Sequence, residues 1–205
     1  MSLLAPHVLA LLQHATDASV VAAALDVAVR IVCALYRTGD YLSARKLPSA
    51  AAATSGPKLG PEHRLVLSAH SRAGRALFRL GRFEESEPVL RRVLTDRERL
   101  LGPDHPDTLD SYFGINHPLQ QLGRVAEGLM LFQHTTDGRE RVLGKEHPLT
   151  LQSRAHLPES LPSPILLMRS MARRCHYQKS APGTWDLTTL SLWGHGSAMP
   201  SPWSG

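Results

Sequence analysis

A five-residue block recurs three times at constant spacing: Leu59-Gly60-Pro61-Glu62-His63, Leu101-Gly102-Pro103-Asp104-His105 and Leu143-Gly144-Lys145-Glu146-His147, each 42 residues after the last. A second marker keeps the same offset, Gly39-Asp40-Tyr41, Gly81-Arg82-Phe83 and Gly123-Arg124-Val125, and the later two copies follow Leu80 and Leu122. Five positions after each of these glycines stands a small residue: Ala44, Ser86 and Gly128. Two markers in one register constrain the chain more than any composition does. A fixed period in the 20–50 residue range is the signature of units that cannot bury their apolar faces alone and must stack.

The segments between markers read as helices. After Gly81, the apolar residues Phe83, Val89, Leu90, Val93, Leu94 and Leu100 recur near three, four and seven, which puts them on one stripe of a helix whose other face is Glu and Arg. Before Gly81, Leu67, Ala69, Ala73, Gly74, Ala76, Leu77 and Leu80 give a helix with small residues where another helix must come close. Gly81 suits the left-handed conformation that ends a helix before a tight turn. Each unit is therefore a helix, a short turn, a second helix and a connector containing Leu-Gly-x-x-His. In Asp104-His105-Pro106-Asp107-Thr108-Leu109, the proline sits in the first turn of the next helix, where its missing N–H costs nothing, and Asp or Thr is placed to cap or favourably charge that terminus. Glu146-His147-Pro148-Leu149-Thr150-Leu151 repeats the arrangement.

Leu101 to Leu109 together with Leu122 to Glu127 resemble the 42-residue tetratricopeptide repeats of the kinesin-light-chain type, bacterial copies of which often sit in larger regulatory proteins. The resemblance covers residues 25–161 and is strongest over 59–157; its period distinguishes it from the ordinary repeat of this class, which is 34 residues long. It implies an all-α chain, a right-handed α-solenoid of helix-turn-helix units, with a concave face that receives a peptide or protein segment. In the register of that family the inward-facing side chains are Ser68, Ser71, Arg75 and Arg79, followed by Asp110, Phe113, His117 and Gln121. Two arginines beside serines could hold a carboxylate through charge-assisted hydrogen bonds, or be ordinary surface.

Several positions depart from the pattern. Pro118 falls inside a first helix, where it removes a backbone hydrogen bond at ~3 kcal/mol and predicts a kink or a late start. Asn116 stands where a small residue is expected for helix contact, and Pro48 predicts an interrupted second helix. Near 164–166, Pro164-Ile165-Leu166 replaces the expected Leu-Gly-Arg. Residues 162–205 are rich in Ser, Pro, Gly, Trp and Thr, keep one acid, Asp186, and read as a disordered tail, either native or the product of a shifted reading frame. The division expected is thus a helical remnant at 1–24, the array at 25–161 and the tail at 162–205. Two regular units, two altered ones and no evident polar cap predict marginal independent stability.

Charge and chemistry-bearing residues narrow the function. The net charge of +5 is spread thinly, with no basic run, so nucleic-acid binding is not expected. Aromatics at 5% and a predominance of Ala, Leu and Arg favour helices over a β-sandwich. Cys33 and Cys175 have no metal-ligand spacing and fit a reducing, cytoplasmic setting. The apolar N-terminus lacks a positive start and is broken by Asp17, Asp26 and Arg30 before reaching the ~20 uncharged residues that span a bilayer, so neither a signal peptide nor a membrane helix is expected. His63, His105 and His147 lie one repeat apart, too far to share an ion, and read as structural. No Gly-x-Ser-x-Gly and no phosphate-binding Gly loop ending in Lys-Ser or Lys-Thr is present, so no catalytic site, cofactor or metal is expected. Glu84, Glu85, Glu87, Arg91, Arg92, Arg97 and Arg99 read as a solvated helical face with acids first and bases last. The expected function is a non-catalytic scaffold binding a protein or peptide, acidic by the arginines. The alternatives are a truncated sensor arm of a bacterial nucleotide-switch regulator, without autonomous function, and a DNA-associated regulator, for which no helix-turn-helix pattern is found.

Overall fold

The computed structural model describes residues 4–156; residues 157–161 of the expected array and the tail at 162–205 lie outside them. Eight helices follow in order: α1 (Leu4–His14), α2 (Ala18–Thr38), α3 (Tyr41–Leu59), α4 (Arg64–Arg79), α5 (Phe83–Leu101), α6 (Pro106–Gln121), α7 (Val125–Leu143) and α8 (Pro148–Ala155). No strand occurs among the described residues. Each helix packs on the next in sequence, and α2 also touches α4, as α4 touches α6, so successive pairs stack into a solenoid. α2 crosses the 24–25 limit expected from the sequence.

The two sequence markers make the two kinds of turn. Gly39, Gly81 and Gly123 each adopt φ 75°, the left-handed conformation that closes the first helix of a pair and that side chains with a Cβ rarely take. The Leu-Gly-x-x-His connector then starts the following pair. His63, His105 and His147 are its N-caps, their Nδ1 atoms accepting from the backbone N–H two residues on at 3.3, 3.1 and 3.2 Å. Capping falls to histidine and not to the Asp or Thr expected; Thr108 and Thr150 are instead buried. An N-cap satisfies an orphan N–H and contributes ~1 kcal/mol.

The prolines do less damage than the sequence predicts. α3 runs unbroken through Pro48, and α6 starts on time at Pro106 and runs through Pro118. Pro118 lies in the last turn of α6, and its carbonyl still accepts from Leu122 N–H at 3.0 Å. Asn116 is fully buried, and its Nδ2 donates to the Gly128 carbonyl at 2.6 Å. One layer earlier the sizes are exchanged: Gly74 takes the place of Asn116, Ser86 that of Gly128, and Ser86 Oγ donates to the Gly74 carbonyl at 2.8 Å. The contact between paired helices is kept with the polar side chain moved to the opposite helix.

One apolar core joins α1 to α4, built on Leu12, Val21, Leu25, Val32, Leu47 and Val66, and a second joins α5 to α7 on Leu90, Leu94, Leu109, Ile115, Leu119 and Leu131. α2 is long and apolar enough to cross a membrane by length and composition. In this structure its apolar stripe is spent on packing, with Val21, Leu25, Ala28 and Val32 buried. The charged face read on α5 is not all solvated. Arg97 is buried, and Arg91 is half-buried between Glu87 at 2.5 Å and Glu127 at 2.8 Å, the latter on α7.

Candidate functional site

The first helices of successive pairs, α2, α4 and α6, share an inner surface, because side chains 42 residues apart fall in line across the layers. Tyr36 on α2, Arg75, Phe78 and Arg79 on α4, and Phe113, Gly114 and His117 on α6 enclose a hollow of about 140 Å³. Its walls are aromatic. Phe78 lies 5.6 Å from the His117 ring, which lies 5.2 Å from Phe113. Phe132 and His156 extend this ring cluster, stacked on each other at 5.6 Å with 3° between planes.

Four of the eight groove residues read from sequence, Arg75, Arg79, Phe113 and His117, line this hollow. Their states differ from the simple expectation of two free arginines. Arg75 Nη2 is held by Asp110 Oδ2 and by the Asp110 backbone carbonyl, both at 2.7 Å, so the one predicted residue neutralises the other and ties α4 to α6. Arg79 is exposed; its guanidinium lies 4.7 Å over the Tyr41 ring and donates to the Tyr41 hydroxyl. Of the remainder, Ser68 Oγ accepts from Arg97 at 3.1 Å, Ser71 is buried, and Gln121 is exposed at the end of α6.

Tyr36, Phe78 and Gly114 were not among the expected residues. Tyr36 and Phe78 are 42 apart, and each packs on an aromatic five residues later, Tyr41 at 5.7 Å and Phe83 at 5.6 Å. That doubled aromatic pair was legible as a repeat. Gly114 makes room for Arg75: a Cβ there would lie 3.0 Å from its Nε. That atom is buried and has no hydrogen-bond partner.

The electrostatics follow from burial among cations. Burial pushes the Tyr36 hydroxyl up to about 12, against the pull of Arg75, Arg72 and Arg79. Burial, with smaller contributions from His156 and Arg75, brings His117 down to about 4, so its ring is neutral at neutral pH. Burial alone would raise the Asp110 carboxyl, but the guanidiniums of Arg75, Arg72 and Arg97 outweigh it and hold the group below the usual carboxylate range. The hollow is thus a neutral aromatic cup with arginines at its rim. Among the described residues no group of three or more His, Cys, Asp or Glu is placed to hold a metal ion.

Residues 66–107 and 119–149 match the tetratricopeptide repeat family. A solved structure of kinesin light chain nearly identical TPR-like repeats from Podosopora anserina superposes with a TM-score of 0.61 at 24% identity, covering 65% of this chain and 63% of that one. A variant of the same repeats gives 0.61 at 21% identity, covering 73% and 68%. The chain therefore spans less than two thirds of the first of these structures, and at such identity the likeness establishes the fold. No curated protein matches the sequence. Tetratricopeptide repeats generally mediate protein–protein interaction and are typically non-enzymatic; residues 66–107 and 119–149 of this chain are similar to such repeats, and its fold is similar to that of the kinesin-light-chain-like structures.

Proposed function

We propose that the chain is a non-catalytic scaffold that binds a segment of a partner protein along the inner surface of α2, α4 and α6. The observation that carries this reading is the hollow between Tyr36, Phe78, Phe113 and His117, an opening lined by aromatic rings and rimmed by Arg75 and Arg79. Aromatic walls favour an apolar side chain by removing it from water, at about 25 cal/mol for each Å² covered. An exposed guanidinium at the rim favours an acid beside that side chain. Arg79 fills that role, because Arg75 is already engaged by Asp110. The partner segment is therefore apolar at one position and acidic at its flank.

The test is fluorescence anisotropy of the full chain against labelled peptides that pair a large apolar residue with either acidic or basic flanks. Saturable binding of the acidic set, lost in Phe78→Ala and weakened severalfold in Arg79→Ala, supports the groove. Equal binding of both sets, or binding indifferent to Phe78→Ala, sinks it.

A further inference from the structure

Building on the groove reading above, we propose that the acidic group taken beside the aromatic cup is a phosphoryl group on a residue of the partner segment, seated between α2 and α4 on Arg37, Arg72 and Arg79. The arginines there stand in register. Arg30 and Arg72 are 42 residues apart, and so are Arg37 and Arg79. Seven residues make two helical turns, about 10 Å along the axis, so Arg30 and Arg37 share one side of α2, and Arg72 and Arg79 one side of α4. α2 touches α4, and packed helices lie about 8–10 Å apart, so the four positions mark the corners of a patch ~10 Å on a side. At α6 the same two positions are Gly114 and Gln121, and the basic patch stops where the rings of Phe113 and His117 begin.

Acids balance only part of this charge. Asp26 pairs with Arg30 at 2.7 Å, and Asp110 with Arg75 at 2.7 Å. Arg37, Arg72 and Arg79 pair with no carboxylate among the described residues, whereas Arg82, Arg99, Arg124 and Arg141, on the turns and second helices, each sit on an acid. Stacking therefore gathers on the inner surface of α2 and α4 a positive charge that the sequence spreads thinly. The Tyr36 hydroxyl marks where it converges: it donates to the Arg72 carbonyl at 3.1 Å, and the charges of Arg75, Arg72 and Arg79 all reach it.

Asp110 shows what a carboxylate takes up here. One guanidinium, that of Arg75, holds both its Oδ2 and its backbone carbonyl. A single carboxylate from a partner thus neutralises one of the three unpaired arginines and leaves the other two repelling each other. A phosphorylated side chain brings a charge of about −2 and three acceptor oxygens, which serve donors arriving from different directions. The planar fork of each guanidinium matches such oxygens in pairs. The placement agrees with the cup, because Arg79 lines the hollow and Arg72 adjoins Tyr36 in its wall. At about 3.3 Å per residue of extended chain, a phosphorylated residue one to three positions from the apolar residue reaches the patch.

The measurement is fluorescence anisotropy of the full chain with labelled peptides of one sequence, each holding a large apolar residue near a serine that is unmodified, phosphorylated, or replaced by one or two glutamates. The phosphopeptide is expected to bind about tenfold more tightly than either glutamate peptide. Arg72→Gln and Arg37→Gln are each expected to remove most of that preference while leaving the glutamate peptides nearly unchanged. Both variants are checked for a parental melt by circular dichroism; Arg37 is exposed, and the Arg72 group that Tyr36 uses is backbone, so its loss of side chain leaves that bond in place. A two-glutamate peptide that binds as tightly as the phosphopeptide, or a preference that survives both substitutions, overturns the proposal. So does a single-stranded oligonucleotide that binds more tightly than the phosphopeptide at the same salt, which assigns the patch to nucleic acid. If the preference is absent but Phe78→Ala still abolishes binding, the phosphoryl site alone fails; if no peptide binds, or binding ignores Phe78→Ala, the groove reading fails with it.

Discussion

Arg97 of α5 donates to Ser111 Oγ of α6 at 2.8 Å, and one layer later Arg139 of α7 does the same to Ser153 Oγ of α8 at 2.7 Å. The rest of the arrangement repeats with it. Arg97 also reaches the Asp107 carbonyl at 2.9 Å and Ser68 at 3.1 Å; Arg139 reaches the Leu149 carbonyl at 2.9 Å and, more loosely, Asp110 at 3.9 Å. Each buried guanidinium thus joins the end of one pair to the start of the next. At the first junction Ser55 and Ala69 hold these positions, and Ser55 Oγ is buried without a partner.

Arg97→Ala is expected to destabilise the array by ~3 kcal/mol, because it removes the charge-assisted hydrogen bonds that tie α5 to α4 and α6 and leaves a void where the buried side chain lay. Arg97→Lys is expected to lose most of the same stability, since an ammonium cannot reach two helices in the planar geometry of a guanidinium. Urea denaturation followed by circular dichroism measures both; a Lys variant as stable as the parent contradicts the bidentate role.

The exchange of sizes between Gly74–Ser86 and Asn116–Gly128 predicts non-additive mutations. A Cβ on Gly128 would lie 3.0 Å from Asn116 Oδ1, so Gly128→Ser alone crowds a buried amide. Asn116→Gly alone deletes a buried hydrogen bond and leaves a void. The double variant rebuilds the Gly–Ser contact seen one layer earlier, and a coupling of about 1 kcal/mol or more in its favour is expected from a double-mutant cycle. Additive losses would show that the two layers solve the contact independently.

The His117 ring, brought down to about 4 by burial, makes stability depend on pH. A histidine whose folded value lies below its unfolded value near 6.5 binds fewer protons when folded. Its stabilising contribution is therefore complete above pH 6.5 and is lost as pH falls toward 4, by an amount on the order of 3 kcal/mol. Burial lowers His70 and His134 as well, so they act in the same direction. Thermal melts between pH 7 and pH 4.5 are expected to show a falling midpoint for the parent and a shallower fall for His117→Phe, which keeps the ring contacts with Phe78 and Phe113 without the proton site. Parallel curves would place the acid sensitivity elsewhere.

The helix-turn-helix order was legible because glycine turns and connector histidines obey backbone rules that act locally. The groove was half legible. Register alone placed Arg75, Arg79, Phe113 and His117 on the hollow, yet it could not show that Asp110 sits on Arg75, because their contact joins two layers through side-chain conformations. Arg97 misled for a related reason: among Arg91, Arg92 and Arg99 it reads as one more surface cation, and only its match to Arg139, with Ser111 matched to Ser153, marks it as buried. Pro118 misled because its cost depends on how near it lies to the end of α6.

The connector histidines give the last prediction. His105 Nδ1 accepts from Asp107 N–H at 3.1 Å, and the same bond starts α4 and α8. His105→Ala is expected to cost ~1 kcal/mol, the ordinary loss of an N-cap acceptor. His105→Asp is expected to keep or exceed parental stability, because its carboxylate can accept the same N–H and carries negative charge at the positive end of α6. The pair separates two roles for a residue that recurs at the start of α4, α6 and α8. If Asp restores what Ala removes, the histidine serves as a cap and any small acceptor suffices. If Asp fails as Ala does, the imidazole is needed for its packing in the connector, and the recurrence of histidine at 63, 105 and 147 reflects ring shape more than hydrogen bonding.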